Sequence, residues 1–409
     1  MEHQADVVIV GGGLNGPALA LALAQSGITS VLVDARPMEL RAEPGFDGRA
    51  YAIALATRRM LAALGIWDRV ADQAAPILDI KVSDGREGDG ASPLYVHFDH
   101  REIGEGPMGH MIEDRFLRKA ILEAVKANPL VTSLSPHRVI HQEIATGAHL
   151  VTTDTGAVVR GALLVGCDGR ESQVASRAGL SRQGWAYSQT ALVCALDHTR
   201  PHHNTAHQMF LPSGPLALLP LPGDRVSVVW SEDRDTAVAL HEADDSTYLA
   251  ALAPKVGSFL GDLSLTGGRH AYPLDLSLAS ALTAARLALV GDAAHGIHPL
   301  AGQGLNLGLR DVAALAEVLS EAKQRGEDLG TAVVLDRYAR WRRTDILALA
   351  ATTDVINRVF SNDNPVMRGL RDLALGAAQA MPPVRRAMMR EAAGLTGDLP
   401  RLMRGEGLG

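Results

Sequence analysis

The chain has 409 residues, with 39 basic and 46 acidic side chains, a formal net charge of −7, 47% hydrophobic content and only 4% aromatic. A chain of this length buries a large core and forms two or three structural units, while its nearly balanced charge argues against a nucleic-acid partner. Its two cysteines, Cys167 and Cys194, exclude a disulfide framework and a Cys-x-x-Cys redox pair. The first residues lack the basic region of a secretory signal, and no uncharged apolar run reaches the ~20 residues that span a bilayer. The expectation is a soluble or peripheral protein.

Residues 6–10 are a short β-branched run, expected as a strand buried on both faces. Gly11-Gly12-Gly13-Leu14-Asn15-Gly16 follows at once, then a helical pattern over residues 17–26, with Pro17 tolerated in its first turn. A second strand over residues 30–33 ends on Asp34. The spacing has a physical reading. Gly11 makes the turn, Gly13 lets backbone approach a pyrophosphate, Gly16 lets helix pack on strand, and Asp34 accepts hydrogen bonds from ribose hydroxyls. An acid at position 34 favours an unphosphorylated adenosine ribose, hence FAD or NAD at this site.

Asp47-Gly48-Arg49 leads toward a helix ending near Leu64. Arg49 reads equally as a surface charge or as a phosphate or flavin contact. Residues 77–107 are turn-rich with alternating runs, expected as hairpin strands, and residues 112–126 read as a helix. A small meander over residues 138–140, 149–153 and 157–159 feeds a separate buried strand at 162–166. That strand ends in Cys167-Asp168-Gly169, with a helix from Val174. Asp168 there is a common helix N-cap or another nucleotide-facing acid.

Residues 186–273 change character and are expected to form a mostly antiparallel inserted domain. Its histidines His202, His203 and His207 have no acids or cysteines at ligand spacing, so a surface loop is expected in preference to a metal site. A strand over residues 286–290 then reaches Gly291-Asp292-Ala293-Ala294-His295 and, through Pro299, Ala301-Gly302-Gln303-Gly304-Leu305-Asn306, where a helix over residues 303–322 begins. Either this is a Gly-rich turn, or it holds an electron-rich group over the positive end of a helix dipole. A reduced flavin ring, negative near N1 and O2, is such a group. From residue 364 onward seven arginines face four acids, with Met and Leu interleaved. This tail reads as an amphipathic segment for an anionic membrane surface or as a terminal helix with one packed face.

Taken in order, Gly11-x-Gly13-x-x-Gly16, Asp168-Gly169 and Gly291-Asp292 resemble the class A flavoprotein monooxygenases. Within that group the chain looks most like the ubiquinone-biosynthesis hydroxylases. Asp47-x-Arg49, Leu218-Leu219-Pro220-Leu221, Tyr272-Pro273-Leu274, Gly302-Gln303-Gly304-Leu305-Asn306 and the tail residues Tyr338, Arg340, Thr353-Asp354 and Phe360 support the resemblance. It implies an α/β fold in which a Rossmann-type, glutathione-reductase-like FAD-binding domain (residues 1–185 and 274–330) carries an inserted α+β antiparallel-sheet substrate domain (186–273) and a helical C-terminus (331–409).

The resemblance also implies FAD held by Gly11, Gly13, Leu14, Asn15, Gly16, Asp34, Arg49, Asp168, Gly169, Asp292, Pro299, Gly302, Gly304, Leu305 and Asn306. Asp292 would hold the ribityl chain and Arg49 the flavin side, while Asp168-Gly169 would serve both FAD and the pyridine-nucleotide path. NAD(P)H would be the electron donor, and a flavin C4a-hydroperoxide formed with O2 would hydroxylate a polyprenylated phenol or benzoquinol. No acid–base pair stands out in residues 186–273, so no catalytic residue is named. The implied location is cytoplasmic and peripheral on the inner membrane through the basic tail, in a complex with other ubiquinone-biosynthesis proteins. The alternatives are a hydroxylase of another aromatic compound and a non-catalytic flavin-binding partner or redox sensor in a quinone-making complex.

Overall fold

Val7 and Ile9 point to one side of their strand and Val8 and Val10 to the other, and the computed structural model buries all four. It describes residues 2–38, 45–86, 90–298, 300–361 and 365–409. The strand, β1 (Glu2–Val10), runs through the Gly-rich turn into α1 (Asn15–Gln25) and returns as β2 (Ser30–Val33). Next come β3 (Ala50–Ala54), α2 (Leu55–Ala63), β4 (Ala74–Ile77), the hairpin β5 (Asp79–Arg86) and β6 (Gly90–Asp99), and β7 (Gly109–Glu113). α3 (Asp114–Ala127), β8 (Val131–Leu134), β9 (Val139–Ala145), β10 (Ala148–Thr153), β11 (Val158–Gly166) and the short α4 (Gln173–Arg177) complete the first half.

The second half opens with β12 (Arg182–His198), β13 (Thr205–Leu211), β14 (Gly214–Leu221) and β15 (Arg225–Asp233). It continues through α5 (Arg234–Glu242), α6 (Asp245–Val256), β16 (Leu263–Ala279), β17 (Thr283–Ala284), β18 (Leu287–Leu289) and β19 (His295–Gly296). The chain then turns helical: α7 (Gln303–Gln324), α8 (Ala332–Phe360), α9 (Pro365–Ala380), α10 (Pro382–Ala392) and α11 (Arg401–Arg404).

The first sheet has the order β17-β18-β11-β1-β2-β8 and is parallel from β18 to β8, with the β9–β10 meander added on β11. One face packs on α1 and α7 through Leu19, Leu23, Leu315 and Leu319; on the other, Val139 and Val151 of the meander cluster with Val8, Val31 and Leu164 of the sheet. Both faces are apolar, as a parallel sheet wrapped on two sides requires. β11 is one continuous strand, so the break expected between 157–159 and 162–166 does not exist. Gly161, at that place, packs against β1: a Cβ would lie 2.8 Å from the Val8 side chain.

The second sheet runs β19-β16-β12-β15-β14-β13-β5-β6, antiparallel except where β5 pairs with β13. Leu192, Cys194, Val226, Val228 and Trp230 on one face meet Ala237, Tyr248 and Leu252 of α5 and α6. β12 and β16 are 17 residues each, so the domain edges expected at 185/186 and 273/274 fall inside strands. The unit also draws on the earlier hairpin at Asp79–Asp99, so it is not made of residues 186–273 alone. A third, small sheet, β3-β7-β4, fills the space between the two larger ones.

The basic tail packs rather than floats. Leu375 of α9 and Met389 of α10 bury against Val96, Phe98 and Met108. Arg385 pairs with Glu102 at 2.9 Å and buried Arg371 with Asp84 at 3.2 Å. Asp84 of the hairpin and Glu102 just after it therefore neutralise part of the tail's charge.

Candidate functional site: a cradle between two sheets

The β1–α1 turn is tight because its glycines are packed against other backbone. Gly11 has φ +117°, and a Cβ there would lie 2.2 Å from the Cys167 carbonyl oxygen; a Cβ on Gly16 would lie 2.0 Å from the carbonyl oxygen of Gly11. Around Gly13 the reverse holds, since nothing comes within 4 Å of an added Cβ. So Gly11 and Gly16 serve the protein's own packing, while Gly13 turns its backbone toward open space beside the uncapped start of α1. Asp34 is buried at the end of β2, where its carboxylate accepts from the Gly12 N–H and, at 2.7 Å, from the Arg36 N–H. Leu14 is buried in the adjoining core.

Asn15 ties this turn to the second Gly-rich stretch. Added Cβ atoms on Gly291 and Gly308 would meet its amide at 2.1 and 2.6 Å, and its Oδ1 is buried with no protein partner among the described residues. Beneath Gly291 lies an ionic core that the sequence reading did not name. Asp311, fully buried on α7, accepts from the Gly291 N–H at 3.0 Å, pairs with His295 Nε2 at 2.5 Å and accepts from Arg342 Nε at 2.8 Å. Arg342, also fully buried, donates again to Asp345 at 2.6 Å. Burial opposes ionisation of Asp311, but the charges of His295 and Arg342 outweigh it and hold the carboxyl below its ordinary range. Asp292 stays half exposed above this core, its nearest cation being Arg170 Nε at 4.0 Å.

Gly302 starts α7 in the left-handed region, φ +65°, where a Cβ would press to 2.9 Å on Ala52. Among the described residues no side chain caps the helix, so its first-turn N–H groups have no side-chain acceptor there. Gly304 has open space around it, and Leu305 packs at the edge of the core. Asn306 locks the helix start to β3: its Oδ1 accepts from the Ala54 N–H at 2.9 Å and its Nδ2 donates to the Ala52 and Gly302 carbonyls at 2.8 and 3.0 Å. Asn306→Leu removes all three, two of them between elements. The expected loss is about 2–3 kcal/mol, read as a lower denaturant midpoint and accompanied by weaker flavin retention. Pro299, also expected here, lies outside the described residues.

Arg49 sits on the approach to β3, bridging Asp47 at 2.6 Å and Asp114 at 3.5 Å with a partly exposed guanidinium. Burial acts against that charge, but the two carboxylates stabilise it and raise its pKa. Tyr272 of β16 feels Arg49, Asp47 and Asp114, and its ring stacks on His270, whose Nε2 meets the Asp47 carbonyl at 2.7 Å. Asp168 is engaged at the start of α4, accepting from Ser172 Oγ at 2.5 Å and from the Gln173 and Val174 N–H groups at 2.8 and 3.1 Å. That is the helix-cap geometry, and Gly169 beside it is open to space. Of the histidines weighed as metal ligands, His202 Nε2 meets two carbonyls at 3.0 Å and the His207 ring packs on Phe259.

The contacts thus join the two Gly-rich stretches: Asp34 closes on the β1–α1 turn, Gly11 of that turn packs on Cys167 beside Asp168, and Asn15 meets Gly291 and Gly308. The profile of the FAD-binding domain family matches residues 4–352. Ubiquinone hydroxylase UbiL of Rhodospirillum rubrum is 44% identical over 99% of this chain and 94% of its own length. The chain belongs to the ubiquinone-biosynthesis hydroxylases, a family of FAD-dependent aromatic-ring monooxygenases. The 3-demethoxyubiquinol 3-hydroxylase of Escherichia coli is 35% identical to this family member over 96% of this chain and 100% of its own. In three dimensions, p-nitrophenol 4-monooxygenase PnpA of Pseudomonas putida shares the fold with a TM-score of 0.81 and 22% identity, over 97% of this chain and 99% of that one. The cradle fits the family's cofactor: an open backbone at Gly13, an unpaired buried amide oxygen on Asn15 and an uncapped helix at Gln303 are what a dinucleotide with an electron-rich ring would fill.

Proposed function

We propose that the chain inserts one oxygen atom into the aromatic ring of a polyprenylated phenol or benzoquinol during ubiquinone biosynthesis, with NAD(P)H as electron donor and O2 as oxidant. The observation that carries the reading is the joining of the two Gly-rich stretches through Asn15, with half-exposed Asp292 in the second and an uncapped helix start after it, in a chain that a ubiquinone hydroxylase matches over 99% of its length. FAD, when bound, supplies the electron transfer and oxygen activation. Asp34 would take the adenosine ribose, Gly13 and Leu14 the pyrophosphate, and Asp168-Gly169 the nucleotide path. Asp292 and Asn15 would hold the ribityl chain. The N–H groups of Gly304 and Leu305 on α7 would stabilise negative charge on the reduced ring, with Arg49 on its flank.

Ala191, Leu274, Leu276, Ile297, Leu307, Ile346 and Ala350 form a buried apolar cluster where the second sheet meets α7 and α8. An apolar ring bound beside it would be shielded from water. Met381, which precedes α10, and Val384 and Met388 on α10 are exposed at helical spacing on a helix that also exposes Arg386, which supports peripheral contact with an anionic membrane. No helix among the described residues is long and apolar enough to cross a membrane. Flotation with anionic but not neutral vesicles is the expected result for that contact, and equal recovery with both would remove it.

Mass spectrometry of quinone lipids tests the activity. Cells lacking the gene should accumulate a prenylphenol one oxygen short of the next intermediate, and a plasmid copy should clear it. Unchanged quinones, together with NAD(P)H oxidation stimulated only by soluble phenols, would assign another aromatic substrate.

A further inference from the structure

His298 follows β19 by two residues and precedes the loop that enters α7. It is 1% exposed, and among the described residues neither Nδ1 nor Nε2 has a hydrogen-bond partner. Burial lowers its pKa to about 4, so at neutral pH the ring is uncharged, with one nitrogen able to donate and the other to accept. Its edge-to-face neighbour is Tyr187, 5.4 Å between ring centroids. That contact sets it beside the apolar cluster of Tyr187, Leu274, Ile297, Leu307 and Ile346.

The nearby polar groups are committed elsewhere. The Tyr187 hydroxyl donates to Asp354 at 2.8 Å, Trp185 Nε1 donates to the same oxygen at 3.2 Å, and Arg358 closes the other oxygen at 2.9 Å. A buried imidazole with both nitrogens unpartnered among the described residues is unusual, because such groups are paired in folded proteins. The missing partner therefore arrives with a ligand. Two ligand groups of the proposed reaction have suitable chemistry: a polar atom of the flavin ring, and a hydroxyl on the substrate ring.

We propose that His298 is the hydrogen-bond partner of the ring hydroxyl of the bound aromatic substrate, which rests on the function proposed above. A hydroxyl that donates to a neutral imidazole pushes electron density into the ring, toward its ortho and para carbons, and fixes which carbon faces the flavin. His298 would then govern both coupling and position of hydroxylation, without being needed for flavin binding.

The test uses the full chain loaded with FAD, a short-chain prenylphenol, its methyl ether, and the variants His298→Leu and His298→Gln. Expected for His298→Leu is flavin affinity within about threefold of wild type, product per NAD(P)H down about tenfold, and hydrogen peroxide rising to match. His298→Gln, which keeps donor and acceptor, should recover most of the product. Product yield unchanged in His298→Leu overturns the proposal, and so does a loss of flavin affinity that His298→Gln repairs, since the partner would then be the flavin. Should His298→Leu not fold, the methyl ether decides: wild type should bind it about tenfold more weakly than the phenol, and equal affinity overturns the proposal. A wild-type protein that hydroxylates no prenylphenol removes the proposed function and this inference together, whereas an active wild type with an indifferent His298→Leu removes the inference alone.

Discussion

Gly13→Val is expected to give a folded protein that purifies without yellow colour, and Gly16→Val a protein that does not fold. The two glycines belong to one motif but meet different surroundings. Around Gly13 an added Cβ meets no atom of the described residues within 4 Å apart from its chain neighbours, so the fold should tolerate a valine that fills the space a pyrophosphate would take. A loss of at least ~100-fold in FAD affinity, about 2.7 kcal/mol, should follow. At Gly16 the Cβ would lie 2.0 Å from a backbone carbonyl oxygen that cannot move without separating α1 from β1. Absorbance at 450 nm beside far-ultraviolet circular dichroism checks both. Full flavin occupancy in Gly13→Val would show that this face of the turn is not the binding face.

Asp311→Asn carries the second large effect. Arg342 and Asp311 are both fully buried, and a buried pair broken on one side typically costs about 3–5 kcal/mol. The same change loosens the Gly291 turn and should weaken flavin retention, although Asp311 lies beneath the cradle. Its pH signature follows from the depressed pKa of the folded state. The stabilisation is complete above the unfolded carboxylate value near ~4 and is lost as pH falls through the folded value. Acid titration of the wild type should therefore show a fall in stability below about pH 4 that is smaller in Asp311→Asn. Parallel profiles in the two proteins would mean that Asp311 is not ionised in the fold.

What the sequence revealed was local. The β1-turn-α1-β2 unit was legible because strand, glycines, helix and acid follow one another within residues 6–34, and hydrogen-bonded neighbours in that unit are also close in sequence. The Gly291 stretch and the start of α7 were legible for the same reason. The parallel pairing of β5 with β13 was not, since Thr205 opposes Asp79 and no alternation pattern names so distant a partner. The inserted unit consequently looked shorter and more self-contained than it is. Asp311 was missed although a signal existed: an acid in the middle of the Ala/Leu-rich stripe of α7 has to be paired. His298 was hidden among the motif residues around it, because only three-dimensional contacts show that its nitrogens lack partners.

The central position of β1 has a consequence for how the protein is made. β1 is flanked by β2 and by β11, and β11 in turn needs β18, so the first sheet closes only after residues 287–289 have been synthesised. α7, which covers one face of that sheet and forms half of the cradle, comes later still. At ribosomal rates of roughly 5–20 residues per second the N-terminal strands wait on the order of tens of seconds with an apolar surface uncovered. Cofactor loading is thus a late event in biogenesis, and chaperone demand should centre on the nascent N-terminal third. Shortage of flavin in the cell would be expected to leave a nearly finished chain exposed to proteolysis.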